Sequence, residues 1–477
     1  MTIIAKSASW TTISTIFGIA VQILQLAILS RTIETAIFGQ YAILNLFIEI
    51  FTAVALGGIS NYLMYKRDLN QEEKNTIFTL AITIGIVAVV VVLLLAYPIL
   101  YFMHYTDLFS PLMVLSVLLI MHAVGAQYQT VGLLAFKHAS MAKIEIASRI
   151  MAFGIAIATI DSGLYCLIFS ALGYQLLRLI GIMAAMSHLA NLGLNFKIKT
   201  AKDAFKYGVY DLGGQWLNIT RKQIDTLILA SLLPLQELGA YHLIKQLASR
   251  PSQAIQPIIG KIALPLFSHA KQNPQRLKNT YYDLFCVQAV ILAICYAPLI
   301  GASDLITLVI YGEKFQKYAP ILALLSLFWF IRVCPSNLMG PLVQVSGKTY
   351  LSFYWNIAIL PVNALVMYLS ALHGIYALTI ALVIFQSICV PLAYYFVIKK
   401  VSTVDFNKTL IFLIIPLLCL IAPLFILEYI VIPQLELSLL IKVMLYVTVY
   451  SADVLSIFML YSVFKQSLSR IKHYNMD

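Results

Sequence analysis

Long apolar runs separated by short polar clusters fill the chain from end to end. Between the breaks they predict spans at about 8–29, 37–63, 76–103, 108–134, 144–160, 163–188, 207–232, 237–268, 280–303, 317–345, 349–372, 374–398, 409–428 and 437–464. The runs are continuous rather than alternating. That excludes barrel strands and points to helices, which satisfy their own backbone hydrogen bonds in lipid. About 20 residues cross the hydrocarbon layer. The expected fold is therefore an all-α polytopic membrane protein with about fourteen transmembrane helices.

Composition agrees. Of 477 residues, 61% are hydrophobic and 11% charged, against about 25% charged in soluble domains. This excludes a water-soluble enzyme, a disordered chain and a nucleic-acid-binding domain. The net charge of +12 is explained by topology. Alternate polar segments, from Lys6 through Lys66, Arg67 and Lys74 to Lys465, Arg470 and Lys472, hold 21 Lys or Arg, and the opposite set holds only Arg31, Lys314 and Lys317. The positive-inside rule then places both termini in the cytoplasm, and no nucleic-acid partner is needed. Residues 8–29 read as a retained first span rather than a signal peptide. Six cysteines without a CxxC pair imply neither a disulfide framework nor a zinc site, and eight histidines without HExxH spacing imply no metal site and no cofactor.

The halves repeat weakly but in order. Ile28, Leu29, Gly39 and Tyr41 match Ile228, Leu229, Gly239 and Tyr241 at an offset of 200. Lys74-Asn75-Thr76 matches Lys278-Asn279-Thr280. Pro111 matches Pro320, and Gly163, Tyr165 and Gln175 match Gly374, Tyr376 and Gln386. Six spans per unit is an even number, so the repeats are parallel, an arrangement found in transporters. The expected domains are an N-terminal six-helix lobe at 1–200, a pseudo-symmetric C-terminal lobe at 201–400, and two appended helices with a cytoplasmic tail at 401–477.

Charges inside the spans mark function, because they are costly in hydrocarbon and face the bundle interior or a wet cavity. The cations are Arg149, Arg178, Arg221, Lys222, Lys245, Arg250, Arg332 and Lys442; the acids are Glu49, Glu145, Asp211, Asp225, Asp283 and Asp453. On the seventh span Asp211, Gln215, Asn218, Lys222 and Asp225 follow helical spacing. On the eighth, Tyr241, Lys245 and Gln256 fall near one face, with Arg250 and Gln253 close by. Arginine matches phosphate oxygens bidentately, so these cations suit an anionic headgroup such as a diphosphate. Arg178 and Arg332 have no acid within four residues on their own helices and join the expected cavity lining. Glu145 and Arg149 at i,i+4 read as a local pair, and Arg221 or Lys222 with Asp225 is the local alternative on the seventh span. Lys442 reads as a snorkelling side chain. Asp211, Asp225 and Glu49 are candidates for a coupling ion, or else counter-ions of the cations. Pro234, Pro251, Pro257 and Pro265 are expected to kink or break helices. Ser346-Gly347-Lys348-Thr349 lacks the earlier glycine of a phosphate-binding loop, with Leu342 in its place, which removes an ATPase reading.

The stretches Phe38-Gly39-Gln40-Tyr41, Lys66-Arg67-Asp68-Leu69, Leu217-Asn218 through Asp225 to Leu227-Ile228-Leu229, Leu238-Gly239-Ala240-Tyr241, Leu264-Pro265-Leu266-Phe267-Ser268 and Gly312-Glu313-Lys314-Phe315 occur in one order. In that order the chain resembles Wzx-type polysaccharide and O-antigen flippases, colanic-acid exporters among them, of the multidrug/oligosaccharidyl-lipid/polysaccharide transporter superfamily, over about residues 5 to 400. The resemblance implies transfer of an undecaprenyl-diphosphate-linked oligosaccharide from the cytoplasmic to the periplasmic leaflet of the bacterial inner membrane. It implies alternating access of two lobes, coupled to H+ or Na+, with membrane lipids and the polysaccharide polymerase machinery as further partners. Arg221 and Asp225 stand where such proteins often carry a basic and an acidic residue. A drug/cation antiporter of the same superfamily would show an acid-rich cavity, against the cation excess here. A membrane polymerase or ligase would show a large external loop, whereas the longest external segment here is about a dozen residues around 304–317.

Overall fold

The computed structural model describes residues 3–56, 62–63, 66, 70–189, 192–434, 438–460 and 462–474. Among them every regular element is helical, as the unbroken apolar runs require. The chain divides into two compact units, Met1–His242 and Leu243–Asp477. The first holds α1 (Ile3–Thr32), α2 (Thr35–Leu56), α3 (Gln71–Phe102), α4 (Phe109–Leu134), α5 (His138–Ala158), α6 (Leu164–Met186) and α7 (Ile198–Leu232). Helix α8 (Leu235–Ala270) runs across the division. The second unit continues with α9 (Pro274–Gly301), α10 (Ser303–Tyr311), α11 (Ala319–Ser346), α12 (Thr349–Ala371), α13 (Ile375–Phe396), α14 (Phe406–Ile426), α15 (Leu439–Leu460) and α16 (Ser462–Tyr474).

Among the described residues, eleven helices are long and apolar enough to cross a membrane. Helices α5, α7 and α8 are of comparable length but richer in charged and polar residues, and fall outside that set. They are the helices on which most of the candidate functional charges sit.

In the first unit α2 packs against α3, α4, α6 and α7. Helices α3 and α4 approach closely because α3 buries a stripe of small residues that includes Ala81, Gly85, Ala88 and Ala96. A Cβ on Gly85 would stand 3.0 Å from that of Ala123, and such small-residue seams drive helix association where lipid supplies no hydrophobic force. In the second unit α9 is the axle. Of its most apolar stretch, 78% is buried, and it packs on α11, α14 and α16. Tyr281, Phe285 and Tyr296 are fully enclosed there. The amphipathic α16 docks through buried Phe464 and Ser467. The Ser467 hydroxyl donates to Asp283 at 2.8 Å, and Arg470 lies 3.5 Å from the same carboxylate oxygen.

One sequence expectation changes and two are sharpened. Apolarity places the start of the seventh span at 207, but α7 begins at Ile198. The first turns are amphipathic: Lys202 and Lys206 are exposed while Ala201 and Ala204 are buried, Ala204 in a cluster with Tyr62, Leu63 and Ile77. Apolarity ends at the first lysines, whereas the helix does not. Second, Pro251, Pro257 and Pro265 lie inside α8 without ending it. Each lacks an N–H, so the carbonyls of Leu247, Gln253 and Lys261 lose their intrahelical donor. Pro234 instead occupies the turn before α8. Third, Ser346 closes α11, and Gly347 supplies the left-handed cap (φ +74°) of a helix–helix turn. No strand precedes it among the described residues, so the lysine-containing motif is a helix stop.

The first anchor of the repeat has a physical meaning that spacing alone does not reveal. The opening turns of α2 and α8 meet backbone to backbone. A Cβ on Gly39 would lie 2.1 Å from the Leu235 carbonyl oxygen, and one on Gly239 would lie 2.0 Å from the Thr35 carbonyl oxygen. Both glycines sit four residues after the carbonyl that the other approaches, so the contact is reciprocal. Phe38 and Leu238 beside them are buried.

Candidate functional site

The charges of the first unit fall into two groups. One lies at the end of α7, where α8 begins and α2 packs. Asp225 is buried. Its Oδ2 accepts from the Tyr241 hydroxyl at 2.6 Å, and its Oδ1 accepts from the Thr226 backbone N–H at 2.7 Å. Tyr241, one of the repeat anchors, is itself fully buried. Glu49 on α2 is exposed and accepts from Asn45 at 2.7 Å and from the Gln223 amide. Arg221 and Lys222 are half-buried on α7, each engaged with neighbouring groups. The side chains of Asp211, Gln215 and Asn218 lie outside the described residues.

The Tyr241–Asp225 bond ties α8 to α7. A hydrogen bond to a charged acceptor contributes about 1.5–3 kcal/mol. Tyr241→Phe is expected to lower stability by about that amount. In a double-mutant cycle with Asp225→Asn, thermal unfolding in detergent should return a coupling above about 1 kcal/mol. Additive effects would show that the two side chains do not meet.

The second group joins α4, α5 and α6. Glu145 and Arg149 do pair along α5, at 2.7 Å and 2.8 Å from Nη2 and Nε to Oε1. The acid for Arg178 also turns out to be Glu145, whose Oε2 accepts from Arg178 Nε at 2.9 Å. The Tyr174 hydroxyl donates to Oε1 at 2.5 Å, and Arg178 Nη2 donates to Gln129 Oε1 at 2.7 Å. The Arg149 guanidinium lies over the Tyr174 ring, 4.7 Å from its centre. Helix α1 makes room for it with Gly18, where a Cβ would be 2.6 Å from Arg149 Nε. Two guanidiniums therefore share one carboxylate, and a positive charge is left over. Same-helix spacing could not reveal this, because the Arg178 partner lies 33 residues earlier on another helix. Gln129 and Tyr174 carried no sequence signal at all.

In the second unit, Lys245 is half-buried on α8, while Gln253 and Gln256 are exposed. The face expected for the eighth span is thus shared between different surroundings, with Tyr241 buried at one end. Arg250 is braced along its own helix. It donates from Nη2 to Gln246 Oε1 at 3.2 Å and from Nη1 to Gln253 Oε1 at 3.1 Å, and Gln253 is held in turn by Ser249. Arg332 on α11 lies 5.6 Å and 5.4 Å from the ring centres of Phe328 and Trp329, a cation–π setting that suits a guanidinium in apolar surroundings. Among the described residues no His, Cys, Asp and Glu cluster is suited to a metal ion.

Comparison with known proteins locates this architecture. Residues 28–320 match the family described as "Polysaccharide biosynthesis protein". The amylovoran biosynthesis protein AmsL of Erwinia amylovora is 27% identical over 303 residues, 63% of this chain and 78% of that protein. The lipopolysaccharide biosynthesis protein WzxC of Escherichia coli K12 is 22% identical, covering 86% of this chain and 84% of its own. The solved structure of the lipid II flippase MurJ, in an inward closed conformation, superposes with a TM-score of 0.71 at 13% identity. It covers 95% of this chain and 98% of that one. The fold is that of MurJ, and the chain is an all-helical multi-pass membrane protein.

Proposed function

We propose that the chain, which belongs to the polysaccharide biosynthesis protein family, moves an undecaprenyl-diphosphate-linked oligosaccharide from the cytoplasmic to the periplasmic leaflet of the bacterial inner membrane. The cargo is an O-antigen, capsular or exopolysaccharide repeat unit. One observation carries this reading. Within a MurJ-like fold, helices α5, α7 and α8 hold ten Lys or Arg against five Asp or Glu. A lipid tail can stay in the bilayer throughout transfer. Only the charged headgroup must cross, and its desolvation is what a polar, cationic route offsets.

In this reading Arg221, Lys222, Lys245, Arg250, Arg178 and Arg332 attract the diphosphate, with Gln215 and Asn218 contributing hydrogen bonds. Two six-helix lobes alternate access, both termini are cytoplasmic, and Asp211, Asp225 and Glu49 are where H+ or Na+ coupling is sought first. Contact with the polymerase machinery belongs to the same proposal. An excess of cations disfavours a drug/cation antiporter.

Loss of the gene tests the reading directly. Lipid-linked oligosaccharide should accumulate on the cytoplasmic side, and the intact gene should restore surface glycan. Undiminished surface glycan in the deletion strain would defeat it.

A further inference from the structure

The group at Glu145 sets two guanidiniums on one carboxylate. Both arginine side chains are about a fifth exposed, 21% for Arg149 and 18% for Arg178. They are therefore neither sealed in the core nor left in water. Among the described residues, the Nη1 of each guanidinium has no acceptor. Their orientations do not rest on Glu145 alone. Gln129 holds Arg178, and the Tyr174 ring and the Gly18 notch hold Arg149. Arg149 lies eleven residues into α5, ~16 Å from its start, and Arg178 lies eight residues before the end of α6, ~12 Å from it. Each thus lies well inside its helix rather than at an end. A buried pair that existed only to brace helices would balance its charges, because an unneutralised cation away from water is costly. Here one carboxylate serves two forks.

We propose that Arg149 and Arg178 form a binding site for two linked phosphates, the diphosphate of a lipid, and that Glu145 is the built-in stand-in which this group displaces. Each fork takes one phosphate bidentately, which a monophosphate cannot match. Glu145 keeps the site neutralised enough to remain folded while empty. It also weakens binding enough for release, since the returning carboxylate competes with the departing headgroup. Tyr174 follows the anion because its hydroxyl already points at the oxygen being replaced. The inference rests on the export reading, yet it fails separately from it.

The test uses the full-length protein in detergent with undecaprenyl diphosphate, undecaprenyl monophosphate and inorganic pyrophosphate as probes, and binding read by native mass spectrometry. The wild type should prefer the lipid diphosphate over the monophosphate by at least about tenfold, one such factor per 1.4 kcal/mol. Arg178→Gln and Arg149→Gln should each erase that preference. Glu145→Gln should bind the lipid diphosphate at least about tenfold more tightly than the wild type, because the competitor has lost its charge.

A carbodiimide mapping experiment on the wild type needs no variant. Labelling of Glu145 should rise several-fold when the lipid diphosphate is added. Unchanged affinity in both arginine variants, no tightening in a folded Glu145→Gln, a flat labelling level, or no lipid binding by the wild type would each overturn the proposal. Displacement by pyrophosphate at concentrations matching the lipid would assign the forks to a soluble anion and overturn the lipid assignment. If surface glycan is lost with the gene while the arginine variants bind normally, only this site falls. If surface glycan survives the deletion, the export reading falls whatever these forks bind.

Discussion

Gly239→Val is expected to abolish glycan export and to lower the stability of the folded protein by about 3 kcal/mol or more. The cause is backbone against backbone. The first added carbon would sit 2.0 Å from the Thr35 carbonyl oxygen and 2.8 Å from the Gly39 nitrogen. Neither atom can rotate away as a side-chain tip would. Reaching even a 3.0 Å contact requires α2 and α8 to separate by roughly 1 Å along a seam that also holds buried Phe38 and Leu238. Gly39→Ala should act in the same way through the Leu235 carbonyl, 2.1 Å from its added carbon. Both substitutions open the same contact, so the double variant should cost less than the sum of the singles. Thermal unfolding in detergent and surface-glycan staining read the two effects. A Gly239→Val protein with wild-type stability would show that these turns do not pack as described.

Neutralising Arg221, Lys222, Lys245 and Arg250 together, each to Gln, should drive export below detection. Charge-assisted hydrogen bonds contribute about 1.5–3 kcal/mol each. Four of them therefore amount to at least about 6 kcal/mol of headgroup stabilisation, or about four powers of ten in transfer rate. Single substitutions should be graded and milder, because on the proposed route the remaining cations would still attract the anion. Among them Arg250→Gln should also carry a stability cost, since Gln246 and Gln253 lose the guanidinium they hold. Membrane abundance and monodispersity of the quadruple variant separate transport loss from misfolding. Export that survives in a well-folded quadruple variant would end the cationic-route idea.

The helices were legible wherever apolarity alone decides, and least so where the protein carries charge. α7 begins nine residues before its expected span, because an amphipathic start resembles a loop to any reading that stops at lysines. The prolines left kinking and breaking open, and spacing could not choose between them. Each proline removes one rung and leaves the others in place, so α8 continues past three of them. Of the charge groups, the Glu145–Arg149 pair was readable because both residues share one helix. The partner of Arg178 was not, since that carboxylate stands on a neighbouring helix and only packing brings the two together. Gly39 and Gly239 were visible as matching letters. Their closeness to each other's carbonyl neighbours depends on how α2 and α8 cross, which no spacing encodes.

The prolines of α8 carry a mechanical consequence. A helix resists bending mostly through its ladder of N–H to carbonyl rungs, and α8 lacks three of them within one span, at Leu247, Gln253 and Lys261. Helix α9, next in the chain, has Pro298 near its far end and is gripped along most of its length. The chain thus sets a compliant rod before a stiff one. Elastic deformation imposed on this region will collect in α8, and Lys245 and Arg250, mounted beside its first soft joint, will swing with it.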